Sequence, residues 1–185
     1  MMPAFLRRLK HDGQEERALL ETLLDFRRLR NFMWSLLEAG KYAGTLPQIL
    51  FLDPDYFFWA VEKKVFQGRL AAQAAELARK TRHIKIPKPD PENWCVEYFF
   101  TPENKFSWYH LIEAGRAPHV GSSITRRSKH IDMSVVRGAC RYDKRGYKRF
   151  VKTMKRHLFG NSATRMTAER CEEFFDDRDN FGSGI

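Results

Sequence analysis

Between Arg126 and Leu158 the chain carries twelve of its 33 lysines and arginines (Arg126, Arg127, Lys129, Arg137, Arg141, Lys144, Arg145, Lys148, Arg149, Lys152, Lys155 and Arg156). Against them stand only two of its 23 acids, Asp132 and Asp143. The net charge of this stretch, +10, equals that of the whole protein, and the other residues carry 21 basic and 21 acidic side chains. The excess is therefore local, and a single polyanion-binding face is the economical reading.

Within the stretch the apolar period changes. HIDMSVVRGACRY alternates and is rich in β-branched residues, which predicts a strand. From Asp143 onward Tyr147, Phe150, Val151, Met154 and Leu158 fall at helical spacing, so a strand is expected to run into a helix at Asp143, a fitting N-cap. Such a junction would gather backbone N–H groups, the positive end of a helix, Arg137, Gly138, Arg141, Lys144 and Arg145, which suits a phosphate. Opposite the apolar stripe lie Lys144, Lys148, Arg149, Lys152, Lys155 and Arg156, with almost no acids interleaved to form helical ion pairs. DNA backbone binding by these residues, together with Arg126, Arg127 and Lys129, is weighed against a merely solvated helix face.

A length of 185 residues suits one domain, here divided into an N-terminal helical part over 1–40, a sheet and basic strand–helix core over 84–160, and an acidic C-terminal segment over 161–185. Hydrophobic content of 43%, with 14% aromatic residues, argues for a packed core and against a disordered basic tail. Cys95, Cys140 and Cys171 show neither a disulfide framework nor metal-ligand spacing, which points to a reducing cytoplasm. No apolar run has the length of a membrane span, and the opening MMPAFLRRLKHDGQEER is charged too early for a secretory signal.

In chain order, Gln14 to Glu38 reads as a long buried helix. Asp53-Pro54-Asp55 is a helix-start signal, and Gly68 to His83 carries an Ala and Leu face expected to form a further helix. WCVEYFF and FSWYHLI, separated by a five-residue turn, predict a β-hairpin in which Glu97 sits in mid-strand, with exposure on a one-sided sheet as the plain explanation. EAGRAPHVGSSITRRSK reads as a flexible phosphate-contacting loop, and Thr167 to Phe181 as a short amphipathic helix with an acidic end. The overall expectation is an α+β fold, a small mixed sheet with a hairpin and several packed helices.

Two patterns carry resemblances. Gly40, Lys41, Tyr42, Gly44, Asp53, Pro54, Tyr56 and Trp59 resemble the G-K-Y-x-G…D-P-x-Y-x-x-W pattern of small modules attached to some DNA exonucleases and phage proteins. Val135 to Tyr142, through Gly138, Cys140, Arg141 and Tyr142, resembles the strand-to-helix motif with which ParB/sulfiredoxin folds cradle nucleotide phosphates. His83, Lys85 and Asp90 also fit the spacing of the phospholipase D superfamily, but they lie at a helix end among prolines without the second half of that motif.

Over its length the chain is similar to the plasmid fertility inhibition factors of ParB/sulfiredoxin-like fold. That resemblance implies a DNase with associated ATPase activity, with ATP and a divalent metal such as magnesium as cofactors. Its target would be DNA about to leave through a type IV secretion channel, with components of that conjugation apparatus as further partners. The setting it implies is the bacterial cytoplasm, with a peripheral position at the inner membrane as the variant.

Two expectations of different class follow. In the enzyme, Arg137, Arg141, Lys144 and Arg145 neutralise phosphate charge, while a carboxylate, Glu97 or Asp143, positions a metal or water. In the inert module, the basic face binds DNA or a partner and inhibits by occupancy. Only the first needs a carboxylate close to the basic cluster.

Overall fold

The helix-start signal Asp53-Pro54 does what its chemistry dictates. Asp53 Oδ1 accepts the Tyr56 N–H at 2.9 Å and Pro54 occupies the first helical turn, where a missing N–H costs nothing. The structure, a computed structural model, describes residues 34–38, 41–139, 143 and 145–182. All of these fall in one unit that begins at Trp34. A two-residue ladder of β1 (Leu36–Leu37) and β2 (Gly44–Thr45) leads into α1 (Leu46–Leu52), α2 (Pro54–Glu62) and α3 (Gly68–Lys80). Then come β3 (Trp94–Phe100), β4 (Phe106–Glu113), β5 (Ile124–Ser128), α4 (Val135–Ala139), α5 (Gly146–Phe159) and α6 (Ala168–Asp176).

The main sheet has the order β4-β3-β5 and is antiparallel throughout, with Glu97 opposite His110 on one side and Arg127 on the other. Alternation along β3 divides the sheet into two faces. Val96, Tyr98 and Phe100 point inward, where Phe150 of α5 packs 5.5 Å from Phe106 and 5.3 Å from Tyr109, ring to ring. Cys95, Glu97 and Phe99 form the outer face. A second aromatic nucleus joins α1 to α6, with Phe51 5.4 Å from both Phe174 and Phe175, and Phe175 stacked on Phe181 at 5.7 Å. Thr167 caps α6 through its hydroxyl, and α5 ends on Gly160, whose φ of 72° lies in the left-handed region that a side chain disfavours.

The α+β class, the hairpin, the helix from Gly68 and the helix from Thr167 match the sequence expectations. Five features differ. The sheet is purely antiparallel, not mixed. His130 to Ala139, the described part of HIDMSVVRGACRY, is not a strand: Asp132 Oδ1 accepts both the N–H and the hydroxyl of Ser134 at 2.7 Å, a turn that opens α4 and buries Val136 and Ala139 together. The following helix begins at Gly146, three residues after Asp143. ITRRS, read as loop, is β5. Leu36 and Leu37, assigned to the end of the N-terminal helix, form β1, and the rest of that helix lies largely outside the described residues.

Candidate nucleic-acid interface

α5 buries Phe150 and Met154 fully, so its remaining circumference must face neighbours or solvent. Lys148, Arg149, Lys152 and Arg156 are exposed and Lys155 is half-buried. Among the described residues only Arg149 of these five has an acidic partner, Asp143 Oδ2 at 3.2 Å. Arg149 Nη1 also donates to the Phe106 carbonyl at 3.4 Å, which sets its flank of the helix beside β4. Arg145, exposed at the helix entry, has its backbone N–H bonded to Asp143 Oδ1 at 2.9 Å. Asp143 is thus engaged on both oxygens.

The other predicted cations are distributed differently. Arg137 on α4 donates through Nη1 to Asp55 Oδ1 at 3.0 Å and through Nε and Nη2 to Glu62 Oε2 at 3.1 Å, tying α4 to α2. Burial works against its charge, but these two carboxylates outweigh it and hold the guanidinium above its ordinary pKa. Gly138 stands on the open side of α4, and a Cβ there would meet nothing within 4 Å, so no close backbone approach requires glycine. Arg126 lies over the Phe100 ring at 5.1 Å, and Lys129 lines a shallow cleft with Lys85, His130 and Glu92. Arg141 and Lys144 lie outside the described residues.

Glu97 is buried, not exposed as the sequence suggested, at 4% accessibility. Its Oε1 accepts the Arg127 Nε–H at 2.8 Å. The same guanidinium donates through Nη1 to the Arg116 carbonyl at 2.7 Å and through Nη2 to the Ala117 carbonyl at 2.8 Å, pinning the β4–β5 loop to the sheet. Arg127 is therefore a fastening of the outer face. Glu97 lies on that face, whereas Asp143 precedes the helix packed on the inner one, so the two candidate carboxylates do not converge. Among the described residues no three His, Cys, Asp or Glu are grouped to hold a metal ion. Glu97 and Asp143 are each paired with an arginine, and Arg137 is engaged by Asp55 and Glu62.

Of the G-K-Y-x-G…D-P-x-Y-x-x-W residues, Lys41, Tyr42, Asp53 and Tyr56 come together in space, while Gly40 lies outside the described residues. Asp53, 1% exposed, accepts Lys41 Nζ and the Tyr42 hydroxyl, both at 2.8 Å on Oδ2. Lys41 lies 5.0 Å from the Tyr42 ring and 5.5 Å from the Tyr56 ring. The bond to Asp53 raises the Lys41 pKa. For Tyr42, burial and then the bond to Asp53 push the hydroxyl up to about 12. Asp53 is the hub that joins the turn before β2 to the start of α2.

Sequence reasoning missed the outer face of the sheet. Phe99 meets Trp108 at 5.4 Å, His110 at 4.8 Å and His119 at 5.0 Å, each ring set edge to face, and Trp108 lies 4.9 Å from His110. Phe99 is 3% exposed and Trp108 is 51% exposed. The alternation of Trp108 and His110 within the hairpin was the available signal. Burial lowers the His110 pKa against the opposing pull of Glu97, and Arg116 and His119 lower it further.

Comparison with protein-family models, with curated proteins and with solved structures returns no match. No helix among the described residues is long and apolar enough to cross a membrane.

Proposed function

We propose that the protein binds DNA through its phosphate backbone and acts against DNA destined for conjugative transfer, in the manner of the fertility inhibition factors that its sequence resembles. One observation carries the binding. Lys148, Lys152, Lys155 and Arg156 stand on α5 without an acidic partner among the described residues, a cost in self-repulsion that a polyanion relieves. Occupancy is the mode the geometry supports best, because Glu97 and Asp143 are each already neutralised by an arginine and lie on opposite sides of the sheet.

The second reading, a DNase with associated ATPase activity, draws on one feature. Glu97 and His110 are direct cross-strand neighbours, and burial favours the neutral, proton-accepting imidazole. ATP and a divalent metal belong to this reading alone, and a type IV secretion component is a partner in either. Purified protein incubated with linear DNA, with and without magnesium and ATP, distinguishes them. Retarded but intact DNA supports occupancy. Products that vanish in His110→Gln replace it with the enzyme, and no retention of DNA at low salt sinks both.

A further inference from the structure

A tryptophan half open to solvent on a β-strand calls for a reason, because an indole buries a large apolar area when it can. Trp108 has a firm backing. Phe99 lies beneath it, His110 flanks it, and the loop held by Arg127 brings His119 onto the same Phe99 ring. These contacts fix the indole and leave 51% of the residue exposed. A ring restrained this way loses little further freedom when a flat group stacks on it.

Its surroundings select the flat group. β4 is an edge strand of the sheet among the described residues, and none of these places another strand over the approach to Trp108. Arg149 donates to the carbonyl of Phe106, two residues before Trp108. Lys152 and Arg156 follow Arg149 on the same flank of α5 at i+3 and i+7. The nearby carboxylate of Glu97 is neutralised by Arg127, and Arg116 adds positive charge close to His110. A chain that passes along the β4 edge therefore meets an aromatic platform on the outer side and a row of cations on the inner side.

We infer that this edge binds unpaired nucleotides of single-stranded DNA, a base stacking on Trp108 while flanking phosphates meet Lys152 and Arg156. Bases inside a duplex are already stacked and cannot lie on the indole, so the platform distinguishes single strands where the cations alone do not. An apolar protein partner would leave the cationic row unmatched. The inference rests on the phosphate-binding reading of α5 and adds the substrate class to it.

The test uses the full chain and fluorescence anisotropy. The probes are a labelled oligothymidylate of about 20 nucleotides, a duplex of equal length, an abasic strand of equal length and the matching oligouridylate. Trp108→Ala is expected to weaken oligothymidylate binding about tenfold, with less than about a twofold effect on the duplex and the abasic strand. Trp108→Phe should retain most of the affinity, and wild type should bind oligothymidylate at least several times more tightly than the abasic strand. Lys152→Gln with Arg156→Gln should weaken all probes. If the charge variants weaken every probe but Trp108→Ala weakens none, or all equally, the platform is overturned and the phosphate reading stands. If the charge variants weaken nothing, the phosphate reading itself fails. Should Trp108→Ala not fold, the comparison of wild type on thymidylate and abasic strands decides, and a more than tenfold preference for oligouridylate overturns the assignment to DNA.

Discussion

The Arg127 guanidinium spans the outer face of the sheet, giving its Nε–H to Glu97 at 2.8 Å and its two terminal nitrogens to the carbonyls of Arg116 and Ala117. Removing it leaves a carboxylate 4% exposed with no counter-charge. Arg127→Met should therefore cost about 3 kcal/mol in urea unfolding. Pairing it with Glu97→Gln should cost clearly less than the sum, because the uncompensated charge is then gone. Limited trypsin digestion offers a second readout. The single variant should open cleavage after Arg116, and continued protection there would mean that the loop is held by other contacts.

Asp53 joins three donors, the Tyr56 N–H, the Lys41 ammonium and the Tyr42 hydroxyl. Asp53→Ala removes an N-cap and strands a partly buried hydroxyl, and a loss of about 2–3 kcal/mol is expected. Tyr42→Phe keeps the ring and its edge contact with Tyr56, so it should cost about 1–2 kcal/mol. Near-wild-type stability of Asp53→Ala would show that water replaces the hub.

The same cluster sets an alkaline limit with a definite sign. The folded protein holds the Tyr42 proton up to about 12, and the Lys41 ammonium is held above its ordinary value as well. Unfolded, both groups release their protons earlier, so the unfolded chain binds fewer protons in this range. The stabilisation is complete below about pH 10 and is lost as pH rises through the folded values. Unfolding free energy followed from about pH 9 to about pH 11 should fall less steeply for Tyr42→Phe than for wild type. Parallel curves would mean that neither burial nor the bond to Asp53 holds the Tyr42 proton in the folded protein.

Where chemistry is local, the sequence announced the structure. Asp53-Pro54 and Thr167 cap their helices through their own side chains, and the five-residue turn after Phe100 closes the hairpin. Where partners are distant, it did not. ITRRS has one aliphatic residue and becomes a strand because β3 supplies its backbone partners and Glu97, 30 residues away, receives Arg127. HIDMSVVRGACRY places Ile131, Met133, Val136 and Ala139 at spacings that serve a strand or a short helix equally, and the Asp132–Ser134 turn decides for the helix. Charge clustering identified α5 but could not separate Lys152 from Arg137, since only the fold brings Asp55 and Glu62 to the latter.

That separation can be measured. Arg137 spends its guanidinium on two carboxylates of α2, so Arg137→Gln should cost about 1 kcal/mol of stability and leave DNA affinity and its salt dependence unchanged. Lys152 and Arg156 hold no acid among the described residues, and replacing both with Gln should change stability by less than about 0.5 kcal/mol. The same pair should reduce the slope of log affinity against log salt by about 0.7–0.9 for each phosphate that is no longer neutralised. Affinities taken at several salt concentrations, with urea unfolding of the same preparations, give both quantities. A slope that falls with Arg137→Gln and persists without Lys152 and Arg156 would move the phosphate-binding surface from α5 to α4.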